Sequence, residues 1–151
     1  MKGSYHFSVY NNKIRYEFDI NRNITILKGD SATGKTTLLK MLNRALLSKD
    51  SGYTVKTNAK YFVYLEDVYN IPWQQRFLSN KDHVVFIEEN NDFVKSNEFL
   101  SILQESGCYA VIVSRESIDS LHYSIYKTYG IRQSSKCDFL PKVINEFYEL
   151  N

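Results

Sequence analysis

The sequence predicts an α/β fold with a largely parallel central sheet. Three observations lead there. The runs "NITILKG", "HVVFIEEN" and "YAVIVSRE" are short and apolar throughout, as in strands buried on both faces. Segments with helical spacing lie between them. With only 6 Gly and 2 Pro, no linker or repeat divides the chain, so residues 1–151 read as a single domain.

The elements follow in order. "YHFSVYNNKIRYEFDI" alternates around Asn11-Asn12 and predicts an N-terminal antiparallel β-hairpin. "NITILKG" is a buried strand. From Lys35 to about Leu47, the residues Leu38, Leu39, Met41, Leu42, Ala45 and Leu46 share one broad helical face. "SKDSGYTVKTNAK" is polar and reads as a loop. "YFVYLED" is strand-like, and "IPWQQRFLSN" predicts a short helix with Pro72 in its first turn. "HVVFIEEN" is a second buried strand. "SNEFLSILQESG" predicts a helix started by Ser96 or Asn97 and ended by Gly107. "YAVIVSRE" is a third buried strand, "YSIYKTYGI" a last one, and "FLPKVINEFYEL" reads as a closing helix.

Composition narrows the function classes. Hydrophobic residues at 43% and charged residues at 24% fit a globular chain rather than a disordered one. The 19 basic and 17 acidic residues are spread along the chain, so no basic stripe supports nucleic-acid binding. No apolar stretch reads as a signal peptide or a bilayer span, which predicts a cytoplasmic protein without a membrane partner. Cys108 and Cys137 lack both disulfide-framework and metal-ligand spacing.

The segment "GDSATGKTT" carries the strongest chemical signal. Gly29, Gly34, Lys35 and Thr36 fit G-x-x-x-x-G-K-[ST] between a strand and a helix. Its glycines let the loop curl, so that backbone N–H groups of Gly29, Asp30, Ser31, Ala32, Thr33 and Gly34 can face phosphate oxygens. The helix dipole points its positive end at the same place. Lys35 would reach the β- and γ-phosphates, Thr36 would ligate Mg²⁺, and Thr37 could bond the α-phosphate.

"VVFIEE" and "VIVSRE" extend the pattern. Together with "GDSATGKTT" they resemble the P-loop NTPase superfamily, in the additional-strand, catalytic-Glu ATPase branch that includes ABC and AAA-type domains. The resemblance covers roughly residues 24–116 in order. It implies a three-layer fold with a mostly parallel sheet, ATP and Mg²⁺ as cofactors, and an ATPase activity. By that alignment Glu88 takes the metal-side role and Glu89 that of general base. Ser114 would face the γ-phosphate and the attacking water, and Arg115 would be either an arginine finger or solvated. Glu88 departs from the family's usual Asp. No LSGGQ-type signature or AAA-type helical lid is present. The guanine signature N-K-x-D is also missing, since Asn80, Lys81 and Asp82 are followed by His83 without the spacer. ATP is therefore expected over GTP.

Three functions fit these residues. The first is a slow or partner-stimulated Mg-dependent ATPase acting as a nucleotide switch, with an unidentified protein partner or self-association. The second is a small-molecule kinase, which the double Glu disfavours. The third is a non-hydrolysing nucleotide-binding module of a larger complex. Gln74 and Gln75, Glu66 and Asp67, and Arg132 are weaker candidates for ligand contacts, each with an ordinary surface or capping role as the alternative.

Overall fold

The structure, a computed structural model, describes residues 3–29, 34–65, 71–88, 90–114, 126–134 and 143–150. Within them the chain forms β1 (Tyr5–Tyr10), β2 (Ile14–Ile20), β3 (Ile24–Lys28), α1 (Lys35–Leu47), β4 (Thr54–Thr57), β5 (Tyr61–Tyr64), α2 (Trp73–Ser79) and β6 (Val84–Glu88). A 3₁₀ turn (Asp92–Lys95), α3 (Phe99–Ser106), β7 (Tyr109–Ser114), β8 (Tyr126–Ser134) and β9 (Val143–Glu149) follow. All nine strands join one sheet in the order β4-β1-β2-β9-β8-β3-β7-β6-β5.

The fold is mixed α/β, and the expectation of a mostly parallel sheet holds only for part of it. The block β8-β3-β7-β6-β5 is parallel throughout. The pairs β1–β2, β1–β4 and β8–β9 are antiparallel, while β2–β9 is parallel. The predicted hairpin is therefore present but does not stand alone, because β9 inserts between β2 and β8.

Two further expectations change. Of the closing helix read in "FLPKVINEFYEL", Val143–Glu149 form the strand β9, claimed by the open edges of β2 and β8, while residues 139–142 lie outside the described residues. Part of the loop read in "SKDSGYTVKTNAK" is the edge strand β4. None of its four residues is buried, so it lacks the apolar signature of a strand.

The buried strands divide their apolar runs between two faces. Val84 and Phe86, Tyr109 and Val111, and Leu27 pack with α1 and the hairpin. Val85 and Ile87, Ala110 and Ile112, and Ile24 and Ile26 pack with α2 and α3. The sheet also rolls. Phe7 of β1 meets Phe86 of β6 edge-on at 5.4 Å and Tyr61 of β5 at 5.9 Å, although these strands lie far apart in the sheet. Phe18 stacks on Phe7 at 5.2 Å and on Phe147 at 4.3 Å, which extends the aromatic core into β9. Strand twist accumulates in this direction, and α1 with the aromatic rings fills the concavity.

Helix α1 buries Leu38, Leu39, Met41 and Leu42. Its buried face stops there, since Leu46 is 48% and Leu47 72% exposed, contrary to the apolar face predicted as far as Leu46. Helix α3 starts later than its sequence signals suggest, with Glu98 rather than Ser96 or Asn97 at its N-cap, and ends at Gly107 in the left-handed conformation. Among the described residues, no helix is long and apolar enough to cross a membrane.

Candidate functional site

Strands β3, β7 and β6 are parallel neighbours, so their carboxyl ends share one edge. Lys28 pairs with Ser114, and Glu88 pairs with Val113. Such edges are where α/β sheets bind ligands, because loops and helix N-termini converge there. Three sequence-predicted residues, Gly29, Ser114 and Glu88, thus meet on adjacent strand ends. The Gly29 N–H donates to the Ser114 carbonyl at 3.3 Å, which ties the start of the loop to β7.

The loop leaves β3 at Gly29 and re-enters at Gly34, the N-cap of α1. Asp30, Ser31, Ala32 and Thr33 lie outside the described residues. Lys35 is 4% exposed, and its Nζ donates to the Gly29 carbonyl. The lysine therefore spans the two ends of the loop. Thr36 and Thr37 are exposed on the first turn of α1. Leu38 N–H makes the first helical bond, to Gly34 C=O at 3.0 Å, so the amides of Lys35, Thr36 and Thr37 precede the helical ladder. No acidic residue sits in this turn to counter the positive end of the dipole. The arrangement can hold an anion at the helix N-terminus.

Glu88 ends β6 half-buried, and Asn90 Nδ2 donates to its Oε1 at 3.0 Å. Glu89 lies outside the described residues, as do Glu66, Asp67, Arg115 and Cys137. The Glu88 carboxylate and the Thr36 hydroxyl are hard oxygen donors of the kind that suits Mg²⁺. Among the described residues, no group of three His, Cys, Asp or Glu side chains could hold a metal by itself.

Two residues that sequence reading passed over organise this edge. Asn91 is buried, and its amide donates to the Glu88 carbonyl at 2.9 Å and the Tyr64 carbonyl at 3.4 Å, fastening the ends of β5 and β6. An Asn just beyond a strand is the available signal, since its short amide reaches nearby carbonyls. Tyr16 of β2 donates its hydroxyl to Gly34 C=O at 3.0 Å. Its place in the alternation Ile14, Tyr16, Phe18, Ile20 puts it on the buried face, where a phenol needs a polar partner.

The weaker candidates go elsewhere. Gln74 bonds Glu98 at 3.4 Å, and Gln75 is exposed. Arg132 pairs with Glu146 at 2.9 Å and lies over the Tyr148 ring at 5.1 Å.

No family model matches the chain, and no curated protein matches its sequence. Among solved structures, it is similar to a chain in a model of ribosome-bound archaeal Pelota and ABCE1. Identity there is 12% and the TM-score 0.48, over 97% of this chain and 34% of that one. It is also similar to an ABC transporter in an inward-facing conformation, assigned to the metal-chelate type. There identity is 10% and the TM-score 0.46, over 97% of this chain and 98% of the other. This chain spans about a third of the first of these neighbours.

Proposed function

We propose that the chain binds Mg²⁺-ATP in the Gly29–Thr37 loop and is a slow or partner-stimulated ATPase that acts as a nucleotide switch in the cytoplasm. One observation carries the reading. The G-x-x-x-x-G-K-T segment runs from the end of β3 into α1 on the edge where Ser114 and Glu88 also end. The order β3-β7-β6, with a strand between the loop strand and the acid strand, supports the additional-strand ATPase branch.

In this reading the loop amides and the N-terminus of α1 cradle the phosphates, and Lys35 moves from the Gly29 carbonyl to the β- and γ-phosphates. Thr36 and Glu88 would hold the magnesium, which when bound would neutralise charge on the phosphate oxygens. Glu89, the next residue after β6, is the general base, and Ser114 orients the attacking water. The longer Glu88 side chain in place of Asp favours slow turnover. A protein partner or a second copy of the chain supplies stimulation.

Titration calorimetry tests binding. Mg²⁺-ATP should bind wild type at micromolar affinity, and Lys35→Ala should abolish the signal. Equal and poor binding by both proteins would sink the proposal. Phosphate release that Glu89→Gln leaves unchanged would reduce the function to nucleotide binding alone.

A further inference from the structure

We infer that Tyr16, on the hairpin strand β2, is a positioning residue that sets the orientation of the Gly34–Lys35 peptide at the start of α1. This inference rests on the nucleotide-binding reading above.

Three observations on one peptide unit support it. Tyr16 is 1% exposed, and its hydroxyl donates to the Gly34 carbonyl at 3.0 Å. Gly34 has φ of 89°, in the left-handed region that favours glycine. A Cβ built on Gly34 would meet Tyr16 Oη at 2.9 Å, so the phenol occupies the space a side chain would need. Gly34 is therefore glycine for two reasons, one of which lies on a strand eighteen residues earlier.

The chemistry follows from peptide geometry. A trans peptide is planar, and its C=O and N–H point in opposite directions. Holding the Gly34 carbonyl on Tyr16 therefore aims the Lys35 N–H away from Tyr16, as the first amide of the helix N-terminus. The same carbonyl accepts the Leu38 N–H at 3.0 Å, so one oxygen joins the brace to the first helical turn. Burial pushes the Tyr16 phenol up to about 12, so it remains a donor at any physiological pH. Neighbouring Phe18 is stacked on Phe7 and Phe147 and holds β2 in place. The hairpin wing thereby reaches across the sheet's roll to the anion-binding end of α1.

The test compares Tyr16→Phe, which removes only the hydroxyl, with Phe18→Leu, which loosens the same strand. Mg²⁺-ATP affinity is measured by calorimetry, thermal midpoints by circular dichroism, and amide exchange of residues 34–38 without nucleotide by mass spectrometry. Tyr16→Phe should weaken Mg²⁺-ATP by about 2- to 12-fold, the range expected for one lost hydrogen bond, and speed exchange at residues 34–38. Phe18→Leu should lower the midpoint at least as much yet keep wild-type affinity and exchange. Wild-type affinity and exchange in Tyr16→Phe would overturn the inference. So would an equal affinity loss in Phe18→Leu, which would make Tyr16 merely structural. If wild type itself fails to bind Mg²⁺-ATP, the nucleotide reading falls, while the exchange comparison still decides whether Tyr16 orders the loop.

Discussion

The two halves of the sheet reach stability by different routes. In the block β8-β3-β7-β6-β5, the inner strands β3, β7 and β6 carry continuous apolar runs because both faces are covered, by α1 on one side and by α2 and α3 on the other. In the wing β4-β1-β2-β9, one face carries Phe7, Phe18 and Phe147 into the rolled core. The other face carries Lys56, Ser8, Glu17 and Glu146 side by side on neighbouring strands. The block brings Gly29, Ser114 and Glu88 to its carboxyl edge, and the wing shapes the surface under α1. The rings of Phe7 and Phe86 join the two, so the halves should not behave as separate units.

The strongest test removes that junction. Phe7→Ala in the wing and Phe86→Ala in the block should each lower stability by about 3–5 kcal/mol, through lost burial and the cavity left behind. Both should retain a single unfolding transition, with coincident far-ultraviolet circular dichroism and Trp73 fluorescence. Two separated transitions in Phe7→Ala would show that the wing melts alone.

Glycine substitutions sharpen the contrast next. Gly34→Ala combines a left-handed φ with the 2.9 Å contact to a buried phenol and should cost about 1–3 kcal/mol in urea unfolding. Gly130→Ala in β8 would place a Cβ 2.8 Å from the Tyr148 ring, but that ring is only half-buried and can swing outward, so about 1 kcal/mol is expected. Asn91→Ala, which withdraws an amide from the Glu88 and Tyr64 carbonyls, should cost about 1–2 kcal/mol in the same assay.

The smallest effect lies on the wing's outer face. Both ring nitrogens of His6 meet carboxylates, Asp19 at 2.8 Å and Glu17 at 2.5 Å, an arrangement that favours the imidazolium form. Burial acts to lower its pKa, but the bonds and charges of Asp19 and Glu17 outweigh that and raise it above 6.5. For Glu17, burial acts upward, and bonds from Arg15, Ser8 and His6 hold it below 4.5. The His6 contribution is full below pH 6.5 and fades as pH rises through its folded value. That of Glu17 is full above pH 4.5 and fades as pH falls through its folded value. His6 is more than half exposed, so the difference in urea stability between wild type and His6→Gln should be only about a few tenths of a kcal/mol. It should be largest between pH 4.5 and 6.5 and shrink above that window.

Legibility followed burial. The strands β3, β6 and β7 were readable because two covered faces demand unbroken apolar runs. Helix α2 and the Gly107 stop of α3 were readable from local chemistry. Strand β4 was not, because an unburied edge strand has no apolar signature. Strand β9 is hidden in the sequence because Ile144, Phe147 and Tyr148 also fit helical spacing. Its strand state comes from the ladders of β2 and β8 and from Phe147 stacking on Phe18.

The candidate site divides in the same way. The sequence by itself determined the G-x-x-x-x-G-K-T spacing of Gly29, Gly34, Lys35 and Thr36, because that pattern is local and its parts are neighbours in the chain. It also determined that Glu88 and Ser114 end apolar strands. Only the tertiary structure decided that those strand ends lie next to the end of β3, since strand order depends on pairing between distant segments. The same holds for Tyr16, whose hydroxyl has meaning only once a rolled sheet brings β2 against the start of α1.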